Sequence, residues 1–128
     1  MDDALNFDGN TGPYAQYTYA RTCSVLSKAG EYTADSLKIT ATEDTELAKT
    51  LLRCEEIVTE AIEVYEPSVI TRYILDVAGA FNRFYHNCTI LGADDVQVKN
   101  TRLALTAATK TVLGNAFGLI CLAKTEKV

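Results

Sequence analysis

Phe7-Asp8-Gly9-Asn10-Thr11-Gly12-Pro13-Tyr14-Ala15-Gln16-Tyr17-Thr18-Tyr19-Ala20-Arg21 reads as a turn running into a helix. Proline suits the first helical position, because its fixed φ fits and its missing N–H would go unpaired there anyway. Asn10 or Thr11 can cap the end. On a wheel of about 100° per residue, Tyr14, Tyr17 and Arg21 share one face with Thr18, Val25 and Lys28. Ala15, Tyr19, Thr22, Cys23 and Leu26 share another, which reads as the core stripe. The first face is unusual for a solvated one, because it sets rings beside cations and no acid lies between Gly9 and Gly30. Such a surface suits unstacked bases and their phosphates. Packing rings and a solubilising arginine would give the same pattern.

Outward from that helix, the rest of the chain is also helical in period. Helix one is predicted from Pro13 to Ala29, with Gly30 as its stop. Residues 31–41 form a polar connection. Helix two is predicted from about Thr42, with Glu43, Asp44 and Glu46 in the first turn, where the helix dipole favours acids. Apolar positions continue from Leu47 to Tyr65. Glu66-Pro67 ends that stretch and opens the next helix. Pro67 to Cys88 carries the cleanest stripe, Ile70, Ile74, Val77, Phe81, Phe84 and Cys88. A loop over 89–97 precedes a last helix from Val98 to Leu122. Gly114 and Gly118 lie four apart on it, and a closely approaching neighbour helix would explain them. No segment has the period of a strand. The fold class is all-α, a bundle of about five helices in a single domain over 1–128.

The composition is that of an ordinary globular protein, 48% hydrophobic and 23% charged. The apolar run from Thr111 to Ala123 is too short to span a bilayer, and the start at Met1-Asp2-Asp3 is no signal peptide, which predicts a cytoplasmic protein with no membrane partner. Cys23, Cys54, Cys88 and Cys121 form no close pair, so zinc is unexpected and buried thiols, one per helix, are predicted. The net charge of −5 argues against nucleic acid when taken whole. It is unevenly spread: residues 31–66 hold ten acids and three bases, and the remainder seven acids and nine bases. Charges beyond a Debye length of about 8 Å are screened at physiological salt. An acidic back on the second and third helices can therefore coexist with an RNA face on the others.

The opening run resembles the start of the C-terminal anticodon-binding (DALR) domain of class I arginyl-tRNA synthetases. That family reads close to F-D-G-N-T-G-P-Y-x-Q-Y-x-x-A-R over these positions. Later landmarks agree: Pro67, Tyr73-Ile74-Leu75-Asp76-Val77-Ala78, Phe84-Tyr85, Arg102-Leu103-Ala104-Leu105 and an apolar closing helix. The resemblance covers essentially the whole chain and implies a helical bundle with a break near Cys54. It implies base stacking by Tyr14 and Tyr17, a phosphate or base contact by Arg21, and a contact from Asn10 beyond its capping role. Lys28, Tyr85 and Arg102 complete the expected RNA-binding set. Val128 stands where the family's closing Met packs against the anticodon site, and Thr125 where Pro is usual. The implied partners are arginine tRNA, through its anticodon arm, and the catalytic domain of the synthetase. The Gly-Asn-Thr-Gly-Pro-Tyr segment favours the arginyl over the cysteinyl or glycyl enzymes.

No His-Ile-Gly-His-like signature and no Lys-Met-Ser-Lys-Ser-like loop occurs in the sequence, so the chain alone is not expected to be catalytic. No metal or cofactor is expected in it. ATP and Mg²⁺ are implied for the parent enzyme, which charges tRNA with arginine. His86 is the sole histidine and has no Ser or Cys partner at a meaningful spacing, so it reads as a packed or partly exposed residue. Lys99, Lys110, Lys124 and Lys127 read as solvated bases, some of which can follow a phosphate backbone. The alternative from another class is a helical adaptor that binds a protein partner through the acidic 31–66 segment.

Overall fold

The computed structural model describes residues 12–33, 38–64 and 66–126, with nothing said of the side chains of Pro67 and 121–126. Within them the chain forms α1 (Gly12–Ala29), α2 (Thr42–Leu52), α3 (Cys54–Val64), α4 (Pro67–Asn87) and α5 (Val96–Glu126). No strand occurs among the described residues. The all-α bundle and its order therefore follow the periodicity read from the sequence.

α4 is the hub and touches all four of the others. Its whole predicted stripe is buried: Ile70, Ile74, Val77, Phe81, Phe84 and Cys88. Tyr73, Ala78 and Ala80 are buried as well, because a central helix has neighbours on more than one side. One apolar cluster joins Ala15 of α1, Ile57 and Ala61 of α3, and Leu113 and Ile120 of α5 around the first half of α4. A second joins Val25, Leu47 and Leu103 around Phe81 and Phe84. α1 and α5 also meet through Tyr19 and Phe117, edge to face at 5.9 Å.

Local chemistry explains the boundaries. Gly30 sits at φ 71° and donates its N–H to the Leu26 carbonyl at 3.3 Å, the left-handed stop predicted for α1. α2 begins at Thr42, and Asp44 Oδ2 accepts the Ala41 N–H in front of it. The α2–α3 break falls at Arg53, whose N–H turns back to Thr50 O at 3.2 Å. There the Tyr73 hydroxyl donates to Thr50 O at 2.7 Å and Leu51 O at 3.2 Å, a second donor for carbonyls at the helix end that the Arg53 N–H also reaches. That burial raises the Tyr73 phenol well above its usual range, and the Cys54 thiol is also raised, first by burial and then by Glu55.

Several expectations need correction. Thr18 and Val25 belong to the core stripe, not the ring face, for both are buried. A threonine can be buried in a helix because its hydroxyl bonds back to a carbonyl one turn earlier, here Thr18 to Tyr14 O at 3.0 Å. α5 begins at Val96 because Asp95 caps it, accepting the Gln97 N–H at 2.8 Å, and it continues to Glu126 with no Gly or Pro after Gly118 to stop it. Over Val96–Ile120 that helix is long and apolar enough to cross a membrane by length and composition alone, so the argument from a short apolar run does not hold. In the bundle its Leu103, Leu113, Ala116 and Ile120 are buried. Cys23 and Cys54 are half-buried and only Cys88 is buried among the described cysteines, none of which is disulfide-bonded; Cys121 lies outside the described side chains.

The two glycines of α5 do not mark a close helix approach. A Cβ on Gly114 would meet the Tyr19 ring at an ordinary 3.5 Å, and one on Gly118 would meet nothing within 4 Å among the described residues. Gly118→Ala is therefore expected to stabilise the fold by about 1 kcal/mol, the helix-interior difference between the two residues. Chemical denaturation should show the midpoint rising; an unchanged or lower midpoint would mean the site is less open than this.

Candidate nucleic-acid interface

α1 crosses the C-terminal end of α4, and the loop after α4 closes the angle between them. The result is an open groove of about 680 Å³ lined by Tyr17, Arg21 and Lys28 of α1, Tyr85 and His86 of α4, and Thr89 to Leu91 of the loop. Tyr14, Tyr17 and Tyr85 are exposed, Tyr17 at 59%. Large rings cost free energy when left in water, so Tyr17 and Tyr85 on the groove, with Tyr14 three residues before Tyr17 on the same helix, suit a surface that is covered when in use.

Arg21 organises this surface. Its guanidinium lies 4.8 Å from the Tyr17 ring centroid and 4.3 Å from that of Tyr85, on faces that attract a cation. Its Nη2 donates to the Tyr17 hydroxyl at 2.7 Å and its Nη1 to Asn82 Oδ1 at 2.8 Å. Asn82 Nδ2 in turn donates to the Tyr14 hydroxyl and to Thr18 Oγ1, both at 3.0 Å. No described acid lines the groove. The exposed Glu55, Glu56, Glu60 and Glu63 line a separate hollow along α3 that shares no residue with the groove, so the acids expected on that helix face solvent. Among the described residues, no three His, Cys, Asp or Glu side chains come together as a metal would need.

The expected set thus divides. Tyr17, Arg21, Lys28 and Tyr85 line one groove, and Tyr14 joins them through Asn82. Asn10 and Val128 lie outside the described residues.

Arg102 is a correction. It is 9% exposed and faces inward. Its Nε meets Asp44 Oδ2 at 3.4 Å, its Nη1 donates to Thr89 O at 2.6 Å, and its Nη2 to Thr40 Oγ1 at 3.3 Å. A guanidinium has donors enough to tie three segments together, and here it is spent on the fold. Asp44 is fully buried, so it belongs to the interior and not to the acidic back. The Cys88 thiol shares this corner: burial first, then the Asp44 charge, push its pKa up to about 11.

Asn82, His86 and the loop from Thr89 to Leu91 were not picked out as site residues from the sequence. An asparagine amid the apolar stripe of α4, between Phe81 and Phe84, was the available signal for the first.

Rings and a cation held between them, along a groove with no acid among the described residues, are groups that can stack a nucleobase and meet its phosphate. The sequence profile described as the DALR anticodon binding domain matches residues 15–128. The chain belongs to that family. It is similar to arginine–tRNA ligases of Clostridium perfringens, 48% identical over 130 residues, and Clostridium botulinum, 44% identical over 128. Each likeness covers 98% of this chain, which spans only 23% of the relative's length. The solved Thermus thermophilus arginyl-tRNA synthetase has a matching fold, with a TM-score of 0.81 and 36% identity over 91% of this chain and 21% of that one. The adaptor alternative draws no support from these likenesses.

Proposed function

We propose that this chain binds the anticodon arm of arginine tRNA, as the anticodon-reading part of an ATP-dependent arginine–tRNA ligase. Loop bases, chiefly the central cytosine, are splayed out and stacked on Tyr14 and Tyr17, and their edges and phosphates are met by Arg21, Lys28 and Tyr85. The observation that carries this reading is Arg21 held between two exposed tyrosine rings on a groove with no acid among the described residues, in a chain of this family. The names of its relatives support arginine tRNA over other tRNAs. On this reading, residues 1–128 act as one unit and need no cofactor of their own. ATP and Mg²⁺ serve the catalytic domain, which is the second partner, and the work is done in the cytoplasm without a membrane. A contact from Asn10 and an apolar wedge from Val128 remain part of the proposal.

The test is a gel-shift titration of the chain with the arginine anticodon stem-loop and with the same RNA changed at the middle base. The cognate loop should bind about five- to 150-fold more tightly, the loss expected for about 1–3 kcal/mol of contacts to one base. Binding should weaken steeply with salt. Equal affinity for both loops, or none for either, would refute the reading.

A further inference from the structure

Tyr14 and Arg21 of the ring face and the buried Thr18 beside them converge on one side chain of another helix, Asn82 of α4. Its amide meets Arg21, Tyr14 and Thr18 at 2.8, 3.0 and 3.0 Å. The orientation of that amide is forced. A guanidinium has only donors, so the atom facing Arg21 must be the oxygen, and the two N–H groups then face Tyr14 and Thr18. Thr18 spends its own hydrogen on Tyr14 O at 3.0 Å, which leaves its Oγ1 to accept. The Tyr14 hydroxyl likewise accepts from Asn82, and the Tyr17 hydroxyl accepts from Arg21. Among the described residues neither phenol has another hydrogen-bond partner, so both phenolic hydrogens are left to donate.

We propose that Asn82 is the positioning residue of the RNA-binding face: it locks Arg21 between the rings and turns the Tyr14 hydroxyl outward as a donor. The proposal rests on the function given above and adds its chemistry. The groups this network leaves over, the two phenolic hydrogens and the remaining guanidinium N–H groups, are donors, so the network favours nucleotide groups that accept, a base carbonyl, a bare ring nitrogen or a phosphate oxygen. Preorganised donors bind better than ones that must first be ordered.

The test uses Asn82→Ala, Asn82→Asp, Tyr14→Phe and the two double variants with Tyr14→Phe, titrated with the anticodon stem-loop at fixed salt. Circular dichroism melting checks that each is folded. Asn82→Ala should weaken binding by about five- to tenfold, and adding Tyr14→Phe should weaken it less than twofold more, because residues in one network do not act additively. Asn82→Asp keeps an acceptor for Arg21 but forces Tyr14 to turn its only hydrogen inward, so much of its loss should vanish in the Tyr14→Phe background. In the RNA-free protein, the slowly rotating Arg21 Nη–H signals seen by NMR should collapse in Asn82→Ala. Binding within twofold of wild type for Asn82→Ala, losses that multiply fully in the double variants, or unchanged Arg21 signals would each overturn the role of Asn82 while leaving the function intact. If the unaltered chain binds no stem-loop although the signals still collapse in Asn82→Ala, the functional reading has failed and takes the role with it.

Discussion

Arg102→Ala is expected to cost the fold about 3–5 kcal/mol, because it strands a charge in the interior. Asp44 is fully buried, and Oδ2 receives Arg102 Nε and the Ala41 N–H, each at 3.4 Å, while Oδ1 has no hydrogen-bond partner among the described residues. Without the guanidinium the carboxylate keeps its desolvation cost and loses its counter-charge. The Thr89 carbonyl loses a 2.6 Å bond at the same time. Urea denaturation should show the midpoint falling with little change in slope, since the surface exposed on unfolding is nearly the same. Replacing both partners with apolar residues, Arg102→Met with Asp44→Leu, should recover much of the loss, because the pair is worth far less than the penalty of breaking it. A single-variant cost under about 1 kcal/mol would mean that water reaches the corner and Asp44 is not isolated.

Tyr17→Ala should do the opposite: leave the fold nearly intact and weaken RNA binding by about tenfold or more. The ring is 59% exposed, so it contributes little to the core. For a bound base it supplies a stacking face worth about 1–3 kcal/mol. It also supports Arg21 from one side, through its ring at 4.8 Å and its hydroxyl at 2.7 Å, so its removal loosens the cation as well. Titration of the anticodon stem-loop at one salt concentration, beside a melting curve, separates the two effects. Unchanged affinity with an unchanged melt would take stacking on Tyr17 out of the account.

Much of this was legible in the chain because helical periodicity is a local property. The α4 stripe from Ile70 to Cys88, the acidic start of α2 and the Gly30 stop each depend on residues a turn or two apart. The exposed ring-and-cation face of α1 was legible for the same reason, since Tyr14, Tyr17 and Arg21 are neighbours on one helix. What could not be read were partners far apart in sequence. Arg102 looked like a surface base, and its burial depends on Asp44, which looked like an ordinary first-turn acid. Asn82 lies 61 residues from Arg21, and nothing nearby announces that its amide will meet α1. The break at Arg53 has no Pro or Gly to mark it; the hydroxyl that joins the carbonyls there comes from Tyr73, about twenty residues on. Thr18 and Val25 were misplaced because a wheel divides a helix into faces without knowing how wide the core will be.

The groove between α1 and the end of α4 is the point on which the functional account depends, and NMR tests it most directly. With the anticodon stem-loop added stepwise, backbone amide shifts should concentrate on α1 from Tyr14 to Lys28 and on Tyr85 through Leu91. Shifts gathered instead along the glutamates of α3, with α1 silent, would contradict it.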